Sequence, residues 1–201
     1  MIKIIHTADW HIGKSLHRQS LDAEITLFME WLLEELKIRE ADVLLVSGDI
    51  FDLANPSNLD TKLYYDFLAS ILKTGITVVI TGGNHDSVSL LHAPSSLLSH
   101  MNIHIIGGMP EQIEDAIIPV THKNGKTACL ILAVPFLREK DIRFSASVTE
   151  SVDKTEAIPV AVNRLYNQII AAGRQRYGNA IPVIGMGHLY MRGSITSESE
   201  R

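Results

Sequence analysis

The chain has 201 residues, 46% of them hydrophobic and 20% charged, with a formal net charge of -5 at pH 7. These values describe a soluble globular chain of one domain, or one domain with part of another, long enough to bury a real core. The acidic balance supplies no global positive field to draw in nucleic acid. It weighs against a polynucleotide substrate, although bound divalent cations would cancel part of it.

Ile2-Lys3-Ile4-Ile5 reads as a first strand that runs into Asp9-Trp10-His11. It is too short for a signal-peptide core, and no apolar stretch approaches the ~20 residues of a membrane helix. The lone Cys129 sits in an apolar run and reads as a small buried hydrophobe, which fits a reducing compartment. A cytoplasmic location is therefore expected. Residues 22–40 then carry Ile25, Phe28, Trp31, Leu32 and Leu36 on one helical stripe, with glutamates mostly off it.

A second strand over 42–48 leads into Gly48-Asp49-Ile50-Phe51-Asp52. Asn55-Pro56-Ser57-Asn58 can cap a helix over 59–73 with the stripe Leu63, Phe67, Leu68 and Ile71. Gly75 ends that helix, and a strand over 76–81 delivers Gly83-Asn84-His85-Asp86. A short helix over 90–100, broken near Pro94, precedes a strand over 103–106. Asn124-Gly125 between apolar runs at 117–122 and 127–134 signals a hairpin, so antiparallel strands join the strand–helix alternation. Residues 145–155 read as a polar surface loop, and 158–177 as a helix presenting Val162, Leu165, Ile169 and Ala172. Gly178-Asn179 stops it before a strand over 181–186 that ends in Gly187-His188. Residues 191–201 are polar and aperiodic.

If these runs are neighbouring strands, their ends bring Asp9, His11, Asp49, Asn84, His85 and His188 together. Oxygen and imidazole ligands without thiolate suit hard or borderline divalent metals. Asp-x-His can converge only where the chain leaves regular strand geometry. The Asp49 carboxylate can bridge two cations, Asn84 offers a neutral oxygen and His188 a further nitrogen. Two ions about 3.5–4 Å apart clamp a phosphate, activate water and stabilise attacking and leaving oxygens. His85 need not be a ligand, since a protonated imidazole can meet the departing oxygen or the phosphoryl group. Asp52 or Asp86 can orient it or a ligand. His6, His92, His100, His104 and His122 read as surface or core-edge residues. Lys14, Arg18, Arg138, Lys140 and Arg143 are candidate phosphate contacts that also read as solvated charge.

In order, Asp9-x-His11, Gly48-Asp49-x-x-Asp52, Gly83-Asn84-His85-Asp86 and Gly187-His188 resemble the signature of calcineurin-like metallophosphoesterases. Longer stretches, His6 to Gly13 and Pro135 to Ile142 among them, resemble the SbcD family of bacterial nuclease subunits within that superfamily. The resemblance implies an α/β four-layer fold, two mixed β-sheets packed as a sandwich flanked by helices. It implies a two-metal, manganese-dependent DNA exonuclease and endonuclease acting on double-strand ends and hairpins. Such proteins form homodimers and work with an SbcC-type ATPase. By motif, Asp9, His11 and Asp49 hold one metal, Asp49, Asn84 and His188 the other, and His85 is the catalytic histidine.

One departure stands out. The family closes its site with Gly-His-x-His, and nothing after His188 supplies it. The expectation is a nuclease domain over 1–193, incomplete without that segment, with 194–201 a loop or truncated tail. Each metal would then lack one imidazole, and the chain by itself would be weakly active or inactive. A DNA-capping region and an SbcC-binding segment would lie beyond Arg201. Two other functions remain open: a phosphatase or cyclic-nucleotide phosphodiesterase of the same superfamily, and a non-catalytic dimerisation module.

Overall fold

A computed structural model describes residues 1–122, 124–138, 140–141 and 154–189, the first four residues of the last stretch by backbone alone. Its organising element is a wholly parallel sheet of four strands, β1 (Ile4–Thr7), β4 (Val43–Ser47), β5 (Thr77–Thr81) and β6 (Ile103–Ile106), in the order β1-β4-β5-β6. Helices α1 (Asp22–Ile38) and α2 (Asn58–Leu72) and the short α3 (Val88–His92) and α4 (Ser95–Ser99) make the crossovers. A small hairpin, β2 (Ser15–Leu16) with β3 (Gln19–Ser20), follows the first motif.

A second sheet, in the order β7-β8-β9, holds the only antiparallel ladder among the described residues apart from that hairpin. In it β7 (Ile117–Thr121) runs against β8 (Thr127–Ala133), while β9 (Val183–Met186) lies parallel to β8. Pro119 is tolerated because β7 is an edge strand.

Alternation along β4 explains the layering. Leu44 and Val46 face a core shared with α1 to α4, whereas Val43 and Leu45 face Ile118, Val120, Ile131 and Met186 of the second sheet. A strand buried on both faces reads as a continuous apolar run. The outer face of the second sheet is covered by α5 (Lys154–Tyr177), through Leu165 and Ile169. The layers are helices, sheet, sheet and helix, as the resemblance implied.

Two expectations are corrected. Trp31 is 54% exposed, and Met29 takes its place in the core beside Leu32 and Leu36. At 100° per residue, Trp31 falls about 100° from the Leu32 direction. The helix expected over 158–177 begins at Lys154, so Lys154 and Thr155 are helical rather than loop. The rest of the expected loop and the 191–201 tail lie outside the described residues. Cys129 is buried, and burial pushes its thiol pKa up. Among the described residues, no helix is long and apolar enough to cross a membrane.

Candidate metal centre

All parallel strands of the first sheet point the same way, so the loops leaving β1, β4 and β5 share one rim. Beyond β1 and β4 the pairing continues as Asp9 N–H to Gly48 O (3.1 Å), His11 N–H to Asp49 O (3.0 Å) and Ile12 N–H to Ile50 O (3.0 Å). Within this stretch Asp9, His11 and Asp49 have φ of 57°, 46° and 49°. Left-handed backbone at a non-glycine residue costs about 1–3 kcal/mol. Here it breaks the strand alternation and brings ligand atoms of Asp9, His11 and Asp49 within 4.8 Å of one another.

The Asp49 carboxylate is 4% exposed and central. Its Oδ2 lies 3.7 Å from His11 Nε2 and 3.5 Å from His188 Nε2, and its Oδ1 accepts the His85 N–H at 3.0 Å. Burial alone would raise this carboxyl; the hydrogen bonds from His188 and His85 hold it below the ordinary range. His188 arrives from the other sheet. Its Nδ1–H donates to the Ser47 carbonyl at 3.0 Å, which turns Nε2 toward Asn84 Oδ1 at 3.0 Å. The hydrogen bond to Asp49, supported by the Ser47 carbonyl and the charges of Asp49 and Asp9, outweighs burial and raises His188 to about 9.

A second overlapping group, His11, Asp52 and His85, also converges within 4.8 Å. His85 Nδ1–H donates to the Asp52 carbonyl at 2.7 Å, which leaves Nε2 as its second nitrogen. His11 Nδ1 is buried 3.1 Å from Asp52 Oδ1 without hydrogen-bond geometry. We read this group as support for the two rings rather than a separate cation site. Asp86 is 1% exposed and takes a different part: its carboxylate accepts N–H groups of Ile50 (3.1 Å), Phe51 (3.0 Å) and Gly83 (2.8 Å). It thus ties the loop after β4 to the loop after β5. Burial raises its pKa against those three bonds.

The residues fit divalent cations on three counts. The donors are carboxylate, amide and imidazole, with no thiolate. His11 turns its Nε2 toward the shared Asp49 carboxylate at 3.7 Å, in one group with Asp9. The turns admit no side chains: a Cβ at Gly83 would sit 2.0 Å from Asp49 Oδ1, and one at Gly48 2.3 Å from His188 Nδ1.

Three neighbours escaped sequence reasoning. Ser47 supplies the carbonyl that holds His188, and its hydroxyl lies 2.9 Å from His6 Nε2, so His6 joins the rim. The Phe136 ring stands 6.3 Å from that of His188. Tyr166 donates its hydroxyl to the Met186 carbonyl. The apolar run of β8 and the stretch Pro135 to Ile142 point to the segment after β8, but not to a ring beside His188. Of the cationic candidates, Arg138 Nη2 donates to the Asp86 carbonyl at 3.3 Å, Lys140 borders a groove beside α5, and Arg143 lies outside the described residues. Lys14 and Arg18 belong to the β2–β3 hairpin region, where Lys14 N–H donates to the His11 carbonyl.

A family model described as calcineurin-like phosphoesterase matches residues 2–194. The chain belongs to the calcineurin-like phosphoesterase family. Among curated relatives of this phosphoesterase, the SbcD component of nuclease SbcCD from Escherichia coli (strain K12) is 30% identical over 201 residues, 100% of this chain and 49% of that protein. The corresponding protein of Rhodobacter capsulatus is 34% identical over 204 residues (98% and 50%), and that of Bacillus subtilis 28% over 204 residues (100% and 50%). The chain thus spans about half the length of the curated relatives it matches.

Proposed function

We propose that this phosphoesterase is the nuclease portion of an SbcD-type component of an SbcCD nuclease, hydrolysing DNA phosphodiesters at double-strand ends and hairpins in repair, recombination and replication. The observation that carries the reading is the position of Asp49 Oδ2 between imidazoles of His11 and His188, which come from different sheets. Similarity to SbcCD nucleases along the whole chain supports the choice of DNA over other phosphoesters.

Asp9, His11 and Asp49 would hold one divalent ion, and Asp49, Asn84 and His188 the other, with manganese the proposed metal. When bound, such ions supply Lewis acidity toward phosphate oxygens and polarise water for attack. The protein does the rest. Asn84 orients the phosphate edge, Asp52 fixes the His85 ring through Nδ1, and the His85 Nε2 proton goes to the leaving oxygen. Asp86 holds the two loops at the spacing these roles require.

Partners follow from the same reading: DNA, an SbcC-type ATPase and a second copy of the chain. The homodimer is supported by α1, where Leu27, Trp31 and Ile38 lie exposed on the face opposite the core. The deciding experiment gives the full-length protein with Mn²⁺ a labelled DNA hairpin and p-nitrophenyl phosphate esters. Hairpin cleavage far above ester turnover is expected. Ester turnover without DNA cleavage would favour a small-substrate phosphatase, which the acidic balance also suits.

A further inference from the structure

Tyr166 belongs to no motif and sits on α5, yet it meets the strand end that carries His188. Its hydroxyl donates to the Met186 carbonyl at 2.7 Å. The two glycines of this strand end lie against the same side chain. A Cβ at Gly185 would stand 3.4 Å from ring carbon Cε1, and one at Gly187 only 2.4 Å from the hydroxyl oxygen. A side chain at 187 would therefore displace the phenol or the strand. The ladder of β9 ends with the pair Ala133–Met186, and β9 is the edge of its sheet. His188 lies two residues past that last pair, so the Tyr166 hydroxyl grips the chain just before it becomes a metal-binding turn.

We propose that Tyr166 is a positioning residue for the metal centre: by holding the Met186 carbonyl it sets where His188 presents Nε2 beside Asp49 and Asn84. The inference rests on the two-metal reading above and adds an outer support from a different layer of the fold. Ligating atoms must be held to within about 0.5 Å, and outer partners commonly supply that precision. The ring itself packs with the α5 core cluster. That packing needs no hydroxyl, and the distinction makes the test clean.

Tyr166→Phe keeps the ring and removes only the donor. Mn²⁺ is titrated calorimetrically into the full-length wild type, Tyr166→Phe, Gly187→Ala and His188→Ala, with thermal unfolding recorded for each. In Tyr166→Phe one of the two Mn²⁺ binding steps should weaken about tenfold, the same step that His188→Ala removes, while the other step holds. Gly187→Ala should weaken that step as well, because its methyl group displaces the hydroxyl. Wild-type binding in Tyr166→Phe, or equal weakening of both steps, overturns the proposal while leaving the phosphoesterase reading intact. Unchanged binding of both ions in His188→Ala would overturn the two-metal assignment together with it.

Discussion

His85 and His188 are both imidazoles at strand ends, and each is oriented by a backbone carbonyl on Nδ1, from Asp52 and Ser47 respectively. What separates their roles is the company of Nε2. For His188 that nitrogen faces Asn84 and Asp49, the residues that would hold a cation with it. His85 offers Asp49 only its backbone N–H. His85→Ala should accordingly lower DNA cleavage by about 10²- to 10⁴-fold with Mn²⁺ stoichiometry unchanged; loss of bound metal in that variant would make His85 a ligand. His188 carries a pH prediction. Its pKa rises from 6.5 to about 9, so in metal-free protein its stabilising contribution is complete below pH 6.5 and is lost as pH rises through about 9. Metal requires the neutral ring. Thermal unfolding should therefore show metal-free stability falling between pH 6.5 and 9, while the increment from added Mn²⁺ grows. An increment that shrinks over this range would place the cation elsewhere.

At the scale of elements, the centre depends on the join between the loop after β4 and the loop after β5. The ladder between β4 and β5 ends at Ser47 with Thr81, before any ligand is reached. Asp86 takes over there, accepting three amides from two loops in a site closed to water. Each buried amide left without a partner costs about 1–3 kcal/mol. Asp86→Ala should thus lose more than about 3 kcal/mol in urea unfolding, and Asp86→Asn, which keeps one accepting oxygen, clearly less. Equal losses for the two variants would mean that packing, not the amide clamp, is what Asp86 provides. Helix α2 shows the opposite case, an element secured locally. Ser57 and Asp60 form a reciprocal capping box, so its start owes little to the surrounding fold.

For the whole molecule, the two sheets divide the labour. The parallel sheet delivers Asp9, His11, Asp49, Asn84 and His85 from one rim, while the second sheet brings His188 across the sandwich. The helices on the far side carry a different surface: α1 is apolar on opposite faces, with Met29, Leu32 and Leu36 inward and Leu27, Trp31 and Ile38 outward. Under the homodimer proposal, Trp31→Glu in the full-length protein should weaken self-association by at least about 2 kcal/mol, seen as a halved mass in sedimentation. A persistent dimer would move the interface off α1.

Much of this could be read from residues in order. Apolar runs ending in Gly-Asp, Gly-Asn-His-Asp and Gly-His announced strands feeding turns, because burial on both faces of a sheet writes continuous hydrophobicity into the chain. Helices α1 and α2 were legible from periodicity, and the hairpin from Asn124-Gly125. Periodicity does not rank positions at a stripe's edge, so it places Trp31 in the core that Met29 occupies. Nor could it foresee the left-handed backbone at Asp9, His11 and Asp49, or a carboxylate at Asp86 given over to amides. Ser47 and Tyr166 act through a carbonyl and a hydroxyl set by the approach of distant segments. Side-chain chemistry is local and stands in the sequence; the distances that make Asp49 a shared neighbour of His11 and His188 arise only when the sheets pack.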